Sequence, residues 1–231
     1  MAHWAEWGQQ MKVLVIVPAF NEEESLPFLM PKLRDTGWDC LVVNDCSTDS
    51  TAELLDSHHF NHIDLSNNIG IAGVTQMGFK YAAENHYDAA IVIDGDGQHP
   101  LSYAKILIDK VEEGYDYVVG SRFLEKKKPW TMRMIGSRLI CLAIRIKTGK
   151  RVTDPTSGMR ALGRKTIREF ADHMNFVAEP DAFAHVIHRK YRYVEVGVQM
   201  EEREAGTSYF HNPLKSIQFM FDVLISILIF Q

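Results

Sequence analysis

Asp94, Asp96 and Gln98 have the clearest chemical spacing in this sequence. They lie in Ile91-Val-Ile-Asp-Gly-Asp-Gly-Gln-His-Pro100, behind an apolar run (Ala89–Ile93) that reads as a short, β-branched, buried strand. Two glycines let the loop approach a ligand closely. The alternation aims all three side chains to one side of an extended backbone. Three hard oxygen donors there suit Mg²⁺ or Mn²⁺, with a substrate's phosphates completing the octahedron. The plain alternative is an Asp/Gly turn after a core strand, and the rest of the chain decides against it.

The elements that must carry these residues alternate between strand and helix. Lys12–Val17 reads as a buried strand, followed by Pro18-Ala-Phe-Asn-Glu-Glu and a helix through Leu33 that Asn21 is placed to cap. Cys40–Val43 is a second strand. It ends in the polar run Asn44–Thr51, and a helix over Thr51–Ser57 follows. Ile63–Leu65 is a short third strand, and Asn67–Gly73 leads into a helix reaching Asn85. After the Asp94 strand come a helix over Ser102–Glu113 and a strand, Tyr117–Val119, feeding Gly120-Ser-Arg122. This repetition predicts an α/β fold: a doubly wound, mostly parallel, Rossmann-like sheet with its crevice at the carboxyl ends of the strands. Three polar loops fall at those ends, as a nucleotide site requires.

The second half differs. Trp130–Lys147 reads as a helix with Arg133, Ser137, Cys141 and Arg145 four apart on one face and apolar residues on the others. Asp154-Pro-Thr-Ser-Gly-Met-Arg160 is a turn-rich loop. Phe176–Lys190 reads as helix, Tyr193–Met200 as strand and Glu201–Ser208 as another polar loop. Ile217–Phe230 is very apolar, yet shorter than the roughly 20 residues that span a bilayer. Gln218, Asp222 and Ser226 give it a narrow polar stripe. That pattern suits a helix lying in a membrane interface, or one packed on its own domain or in an oligomer contact.

The 231 residues suffice for one domain, and no linker or repeat divides them. We divide the chain into 1–10, an appended or disordered leader with Met11 the natural start; 11–212, the catalytic domain; and 213–231, an amphipathic membrane-interface helix. The net charge of −5 argues against nucleic acid as a partner. From Arg122 to Arg151, however, ten Lys/Arg face one acid, Glu125, a patch that wants phosphates or an anionic membrane surface. Three cysteines without metal spacing fit a reducing compartment.

Six motifs now stand in order: Pro18-Ala-Phe-Asn-Glu, Asn44-Asp-Cys-Ser-Thr-Asp, Asp94-Gly-Asp-Gly-Gln-His-Pro, Gly120-Ser-Arg, Asp154-Pro-Thr-Ser-Gly-Met-Arg and Arg203-Glu-Ala-Gly-Thr-Ser. In this order they resemble glycosyltransferase family 2, and within it the polyprenol-phosphate glycosyltransferases of the dolichol-phosphate mannose synthase type. The resemblance runs over nearly the whole chain from Met11. It implies a GT-A fold, a nucleotide-diphosphate-sugar donor, a divalent metal (Mg²⁺ or Mn²⁺) and inversion of the anomeric centre. By position it implies that Pro18, Ala19, Asn21 and Glu22 line the nucleotide and that Asp45 hydrogen-bonds the base. Asp94, Asp96 and Gln98 would hold the metal on the diphosphate. Arg122, Arg133, Ser137 and Arg203 would contact the acceptor phosphate or the donor's diphosphate, with Asp154, Ser157 and Arg160 near the sugar or the loop that closes on it. Asp154 and Ser157 read equally well as turn residues, and His99 as a packed loop histidine.

The expected activity is transfer of one sugar to a polyprenyl phosphate by a peripheral enzyme at the cytoplasmic face of the cell membrane. A homo-oligomer or a membrane-protein partner is open. The alternative acceptor is a sugar hydroxyl of a lipid-linked glycan in cell-wall or surface polysaccharide synthesis. That version needs a general base, for which Asp154 and Glu179 are candidates. A nucleotidyltransferase would want a Gly-rich basic loop after the first strand, and Pro18–Glu23 has neither glycine nor Lys/Arg.

Overall fold

A computed structural model describes residues 11–95, 100–173, 179–199 and 220–230. Seven strands form one sheet: β1 (Val13–Ala19), β2 (Asp39–Asn44), β3 (His62–Asp64), β4 (Ala89–Val92), β5 (Tyr117–Ser121), β6 (Arg160–Gly163) and β7 (Tyr193–Gly197), in the order β3-β2-β1-β4-β6-β5-β7. The helices are α1 (Leu26–Arg34), α2 (Thr51–Ser57), α3 (Gly70–Glu84), α4 (Leu101–Glu112), α5 (Met132–Thr148), α6 (Arg164–His173) and α7 (Glu179–His188). A last helix, α8 (220–230), is wound as π-helix over Ser226–Phe230. The expected doubly wound, mostly parallel α/β sheet is what forms.

Burial on both faces explains why the central strands read as continuous apolar runs rather than alternating ones. In β1, Leu14 and Ile16 join a core that includes Val74 and Phe79 of α3 and Phe170 of α6. Val13, Val15 and Val17 join the opposite core with Leu29 and Leu33 of α1 and Leu107 of α4. Each such side chain, fully buried, contributes about 1.5–3 kcal/mol.

Three elements depart from the sequence reading: α6 (Arg164–His173) lies where no helix was read, and the other two bear on the site. The first helix starts at Leu26, and Asn21 does not cap it. Asn21 takes a positive φ of 56° and turns its side chain across to the β2 loop, where Oδ1 accepts from the Thr48 amide at 2.8 Å. The stretch ending at Arg160 is not all loop, because Arg160–Gly163 forms β6, antiparallel to both β4 and β5. Four residues led by an arginine carry no strand signal. Their burial on the sheet comes from neighbours distant in sequence.

β6 matters to the site through its direction. An antiparallel strand begins at the edge where its neighbours end. Arg160 pairs with Val92 and with Val119, so the 154–159 loop that leads into β6 arrives beside the carboxyl ends of β4 and β5.

The helix α3 approaches the sheet so closely that a Cβ on Gly78 would stand 2.4 Å from Cγ2 of Ile16. Gly78→Ala must push α3 away from β1. We expect it to cost about 1–3 kcal/mol in chemical denaturation, as overpacked cores do. An unchanged denaturation midpoint would mean that α3 packs more loosely than described.

Candidate active site

The carboxyl ends of the strands are joined by a continuous set of loop-to-loop bonds. The β1 loop and the β2 loop are cross-tied. The Asn21 amide donates to Ser47 Oγ at 2.9 Å and the Glu22 amide to Thr51 Oγ1 at 3.0 Å. The Ser50 amide donates to Glu23 Oε2 at 2.9 Å. Asn44, buried at the end of β2, holds its own loop by accepting from the Ser47 amide and hydroxyl, and donates to Asp64 Oδ1 at 2.7 Å. Asp45 is buried and accepts from the amides of Ile69 (2.8 Å) and Gly70 (2.9 Å). Its negative charge sits on the positive end of α3 and satisfies two of that helix's orphan donors.

Pro18 and Ala19 close β1, in register with Val43 and Asn44. The Pro18 carbonyl and the Glu22 side chain lie against Gly95, where an added Cβ would meet them at 3.1 and 3.4 Å. Pro18, Glu22 and the end of β4 therefore share one small space. Asp94 stands at the mouth of β4, and its Oδ2 would be 2.6 Å from a Cβ on Gly158. Glycine at 158 is what allows the carboxylate to sit against the 154–159 loop. Beside it, Ser157 Oγ is buried with no hydrogen-bond partner among the described residues. Asp96, Gln98 and His99 lie outside the described residues, as does Arg203. Among the described residues no cluster of three His, Cys, Asp or Glu side chains stands ready for a metal.

The second half of the crevice is built on an ion pair. Arg122 grips Asp154 bidentately, Nε to Oδ2 at 2.7 Å and Nη2 to Oδ1 at 2.8 Å, and its amide adds a third bond at 3.0 Å. Asp154 has no exposed surface. Removing one member of such a pair leaves a buried charge, at about 3–5 kcal/mol. Glu195 on β7 completes the support: it accepts from the Thr153 amide and hydroxyl and from the Asp154 amide, all at 2.8–2.9 Å. Glu195 was not among the sequence candidates. Its one signal was an acid between valines in a strand.

On α5, Ser137 is buried and Cys141 partly so. The Lys128 ammonium donates to Ser137 Oγ at 2.8 Å and to Cys141 Sγ at 3.3 Å. Burial raises the Cys141 thiol pKa, and Lys128 opposes the rise. Arg133 lies on α5, its side chain outside the description, as is that of Glu179 at the start of α7. Arg160 is buried in β6.

The pattern of the family described as "Glycosyl transferase family 2" matches residues 14–170, more than half of the chain. The chain belongs to glycosyl transferase family 2. The family-2 assignment agrees with the relatives it resembles. The undecaprenyl-phosphate mannosyltransferase of Micrococcus luteus is 33% identical over 214 residues, spanning 86% of this chain and 87% of that protein. The undecaprenyl-phosphate 4-deoxy-4-formamido-L-arabinose transferase of Proteus mirabilis is 32% identical over 227 residues, spanning 92% and 67%. Among solved structures, glucosyl-3-phosphoglycerate synthase of Mycobacterium tuberculosis with uridine diphosphate superposes with a TM-score of 0.70 at 19% identity, covering 95% of this chain and 80% of that one. The same enzyme with Mn²⁺, uridine diphosphate and glucosyl-3-phosphoglycerate gives a TM-score of 0.69 at 18% identity, with 95% and 79% covered. The fold is thus the GT-A glycosyltransferase fold, and the chain is a glycosyltransferase.

The Gly158–Asp94 contact yields a sharp test. Gly158→Ala should displace the Asp94 carboxylate and lower kcat by about 10- to 100-fold, because an error near 1 Å in a reacting constellation has that effect. The melting temperature should fall by only a few degrees. Wild-type kcat in the folded variant would show that Asp94 takes no part.

Proposed function

We propose that this chain transfers one sugar, with inversion, from a nucleotide-diphosphate-sugar to a polyprenyl phosphate at the cytoplasmic face of a membrane. The observation that carries the choice of acceptor is Asp154. This general-base candidate has no exposed surface and both its oxygens engaged by Arg122. A hydroxyl acceptor needs a base. A phosphate monoester does not, since its second pKa is about 6 and near neutral pH it is already a nucleophilic dianion. The named relatives that act on undecaprenyl phosphate support the same reading.

The chemistry then falls to positioning and charge. Pro18, Ala19, Asn21 and Glu22 line the nucleotide, and Asp45 holds the α3 start beside it and faces the base. Asp94, Asp96 and Gln98 are the residues that would hold Mg²⁺ or Mn²⁺, which when bound neutralises the departing diphosphate. The fit rests on an oxygen-only donor set and on Asp94 seated in a space that only glycine at 158 leaves open. Two phosphate groups must approach one anomeric carbon, and their repulsion has to be offset by cations. Arg133 and Ser137, one turn apart on α5, grip the acceptor phosphate, and Arg203 closes over it. Arg122 acts mainly through Asp154. The pair holds the 154–159 loop, with Ser157 and Arg160, against the sugar site.

The membrane contact is the outer side of α5 and α8. Gly136 lies against Met220, and Lys147 donates to the Leu228 carbonyl at 3.2 Å, so the two helices run side by side in one direction. Val223 and Ile227 are buried in the core, and Ser226 turns inward to donate to Asp181, so Ser226 is not part of an outward polar stripe. The opposite side exposes Ile135, Leu139, Leu142 and Ile146 of α5 with Phe221, Ile225, Leu228 and Ile229 of α8. At the start of α5, Trp130 is 84% and Met132 82% exposed. Arg145, Lys150 and Arg151 edge this apolar surface. An anionic bilayer answers both features. No helix of the described residues is long and apolar enough to cross a membrane.

Incubation with a panel of nucleotide sugars and a short prenyl phosphate should release nucleoside diphosphate. EDTA should abolish this release and Mn²⁺ or Mg²⁺ restore it, and Asp96→Ala should lose on the order of 100-fold in kcat. Full activity of Asp96→Ala in chelator sinks the metal assignment. If Glu179→Gln, still folded, abolishes transfer, the hydroxyl acceptor replaces the phosphate.

Sedimentation with vesicles containing phosphatidylglycerol should capture the protein at low salt and less at high salt. Leu142→Asp together with Ile229→Asp should weaken capture at least tenfold. Indifference of the wild-type protein to these vesicles would make the α5–α8 surface an oligomer or partner contact instead.

A further inference from the structure

The acceptor half of the crevice holds a partly buried cation that no carboxylate pairs with among the described residues. Lys128 sends its ammonium inward onto α5, donating to Ser137 Oγ at 2.8 Å and Cys141 Sγ at 3.3 Å. A hydroxyl is a neutral acceptor and a thiol a poor one. Among the described residues no carboxylate pairs with Lys128, and its other partner is the Phe123 ring, 5.3 Å from the ammonium. The partly buried cations beside it are already engaged. Arg122 is bound to Asp154. Arg138 donates to the carbonyls of Lys128 (2.7 Å) and Pro129 (3.1 Å) and lies over the Trp130 ring. Those bonds clamp the backbone at the foot of the Lys128 side chain.

Ser137 adds to the imbalance. It is 3% exposed, it accepts from Lys128, and its own hydroxyl proton has no acceptor among the described residues. An ammonium and a hydroxyl proton thus converge with no carboxylate bonded to either among the described residues, and the acids whose charge reaches Cys141 beside them, Glu195 and Asp154, are bound to the 153–154 backbone and to Arg122. Withdrawing a charge from water without a partner is costly, and the cost is removed when an anion arrives.

We propose that Lys128 is a phosphate-binding residue: its ammonium, together with the Ser137 hydroxyl, receives the phosphomonoester head of the acceptor. This rests on the phosphate-acceptor reading given above. Lys128 covers the serine, so the anion meets the ammonium first and gains the hydroxyl as the flexible lysine stem shifts. A dianion accepts from both groups at once, which a neutral sugar hydroxyl does not.

The test uses farnesyl phosphate in detergent, so that membrane binding plays no part. Lys128→Gln should raise the acceptor KM by about 10- to 100-fold, the size of one charge-assisted hydrogen bond. Donor affinity should stay within twofold, and Lys128→Arg should recover most of the loss. Lys105→Gln, on the far surface of α4, should change nothing. A readout without substitution guards against misfolding: saturating farnesyl phosphate should slow reductive methylation of Lys128 in the wild-type protein. An unchanged acceptor KM in Lys128→Gln, or unprotected labelling, overturns the role of Lys128 while leaving the phosphate acceptor standing. Failure of the wild-type protein to bind or use farnesyl phosphate overturns both. If Lys128→Gln instead weakens capture by phosphatidylglycerol vesicles and leaves the farnesyl phosphate KM alone, the residue serves lipid headgroups and the proposal falls.

Discussion

The pair of Arg122, partly buried, and Asp154, fully buried, is the interaction on which the second half of the crevice depends. It joins the end of β5 to the loop before β6, two places 32 residues apart in the chain. Burying both charges is favourable only because the geometry is bidentate and further donors, the Arg122 amide and Thr156, complete the carboxylate. Glu195 grips the backbone of the same loop from β7. With both carboxylates engaged in this way, the loop is set against Asp94, and no carboxylate among the described residues pairs with Lys128. On the proposed reading, the side of the crevice that receives the acceptor phosphate is the side where the described carboxylates are already engaged.

The donor side follows a different economy. Its bonds run mostly between backbone amides and short polar side chains: Asn21 to Thr48, Glu22 to Thr51, Asp45 to the start of α3. Such bonds contribute about 1 kcal/mol each, but they close three loops into one surface. On the proposed reading, a nucleotide meeting that surface finds a shape already formed. The parallel sheet makes this possible, since every parallel strand releases its loop at the same edge.

The antiparallel β6 is the departure from a parallel sheet that brings one more loop to the crevice. Because it runs backwards between β4 and β5, the segment entering it lies where the neighbouring strands leave. A parallel strand in that position would have delivered its entering loop to the far edge, away from Asp94.

Local patterns in the sequence determined much of this. The apolar runs of β1 and β4, the polar residues at their ends and the four-residue spacing along α5 were all legible, because a strand's burial and a helix's faces are written in nearest-neighbour periodicity. Asp94 was legible as a candidate ligand because its type and its place after a buried strand coincide. What only the tertiary structure decided is who partners whom. Arg122 read as a phosphate contact, and its pairing with Asp154 could not be read. Asn21 read as a helix cap and ties two loops. Ser226 read as part of a narrow polar stripe, and it faces Asp181. β6 was hidden because four residues led by an arginine have no periodicity, and Lys128 because nothing in a run of three lysines marks the one that turns inward. Charge and hydrogen-bond capacity belong to residues and can be read from the chain. Compensation belongs to pairs brought together across it, and is set only when the sheet closes.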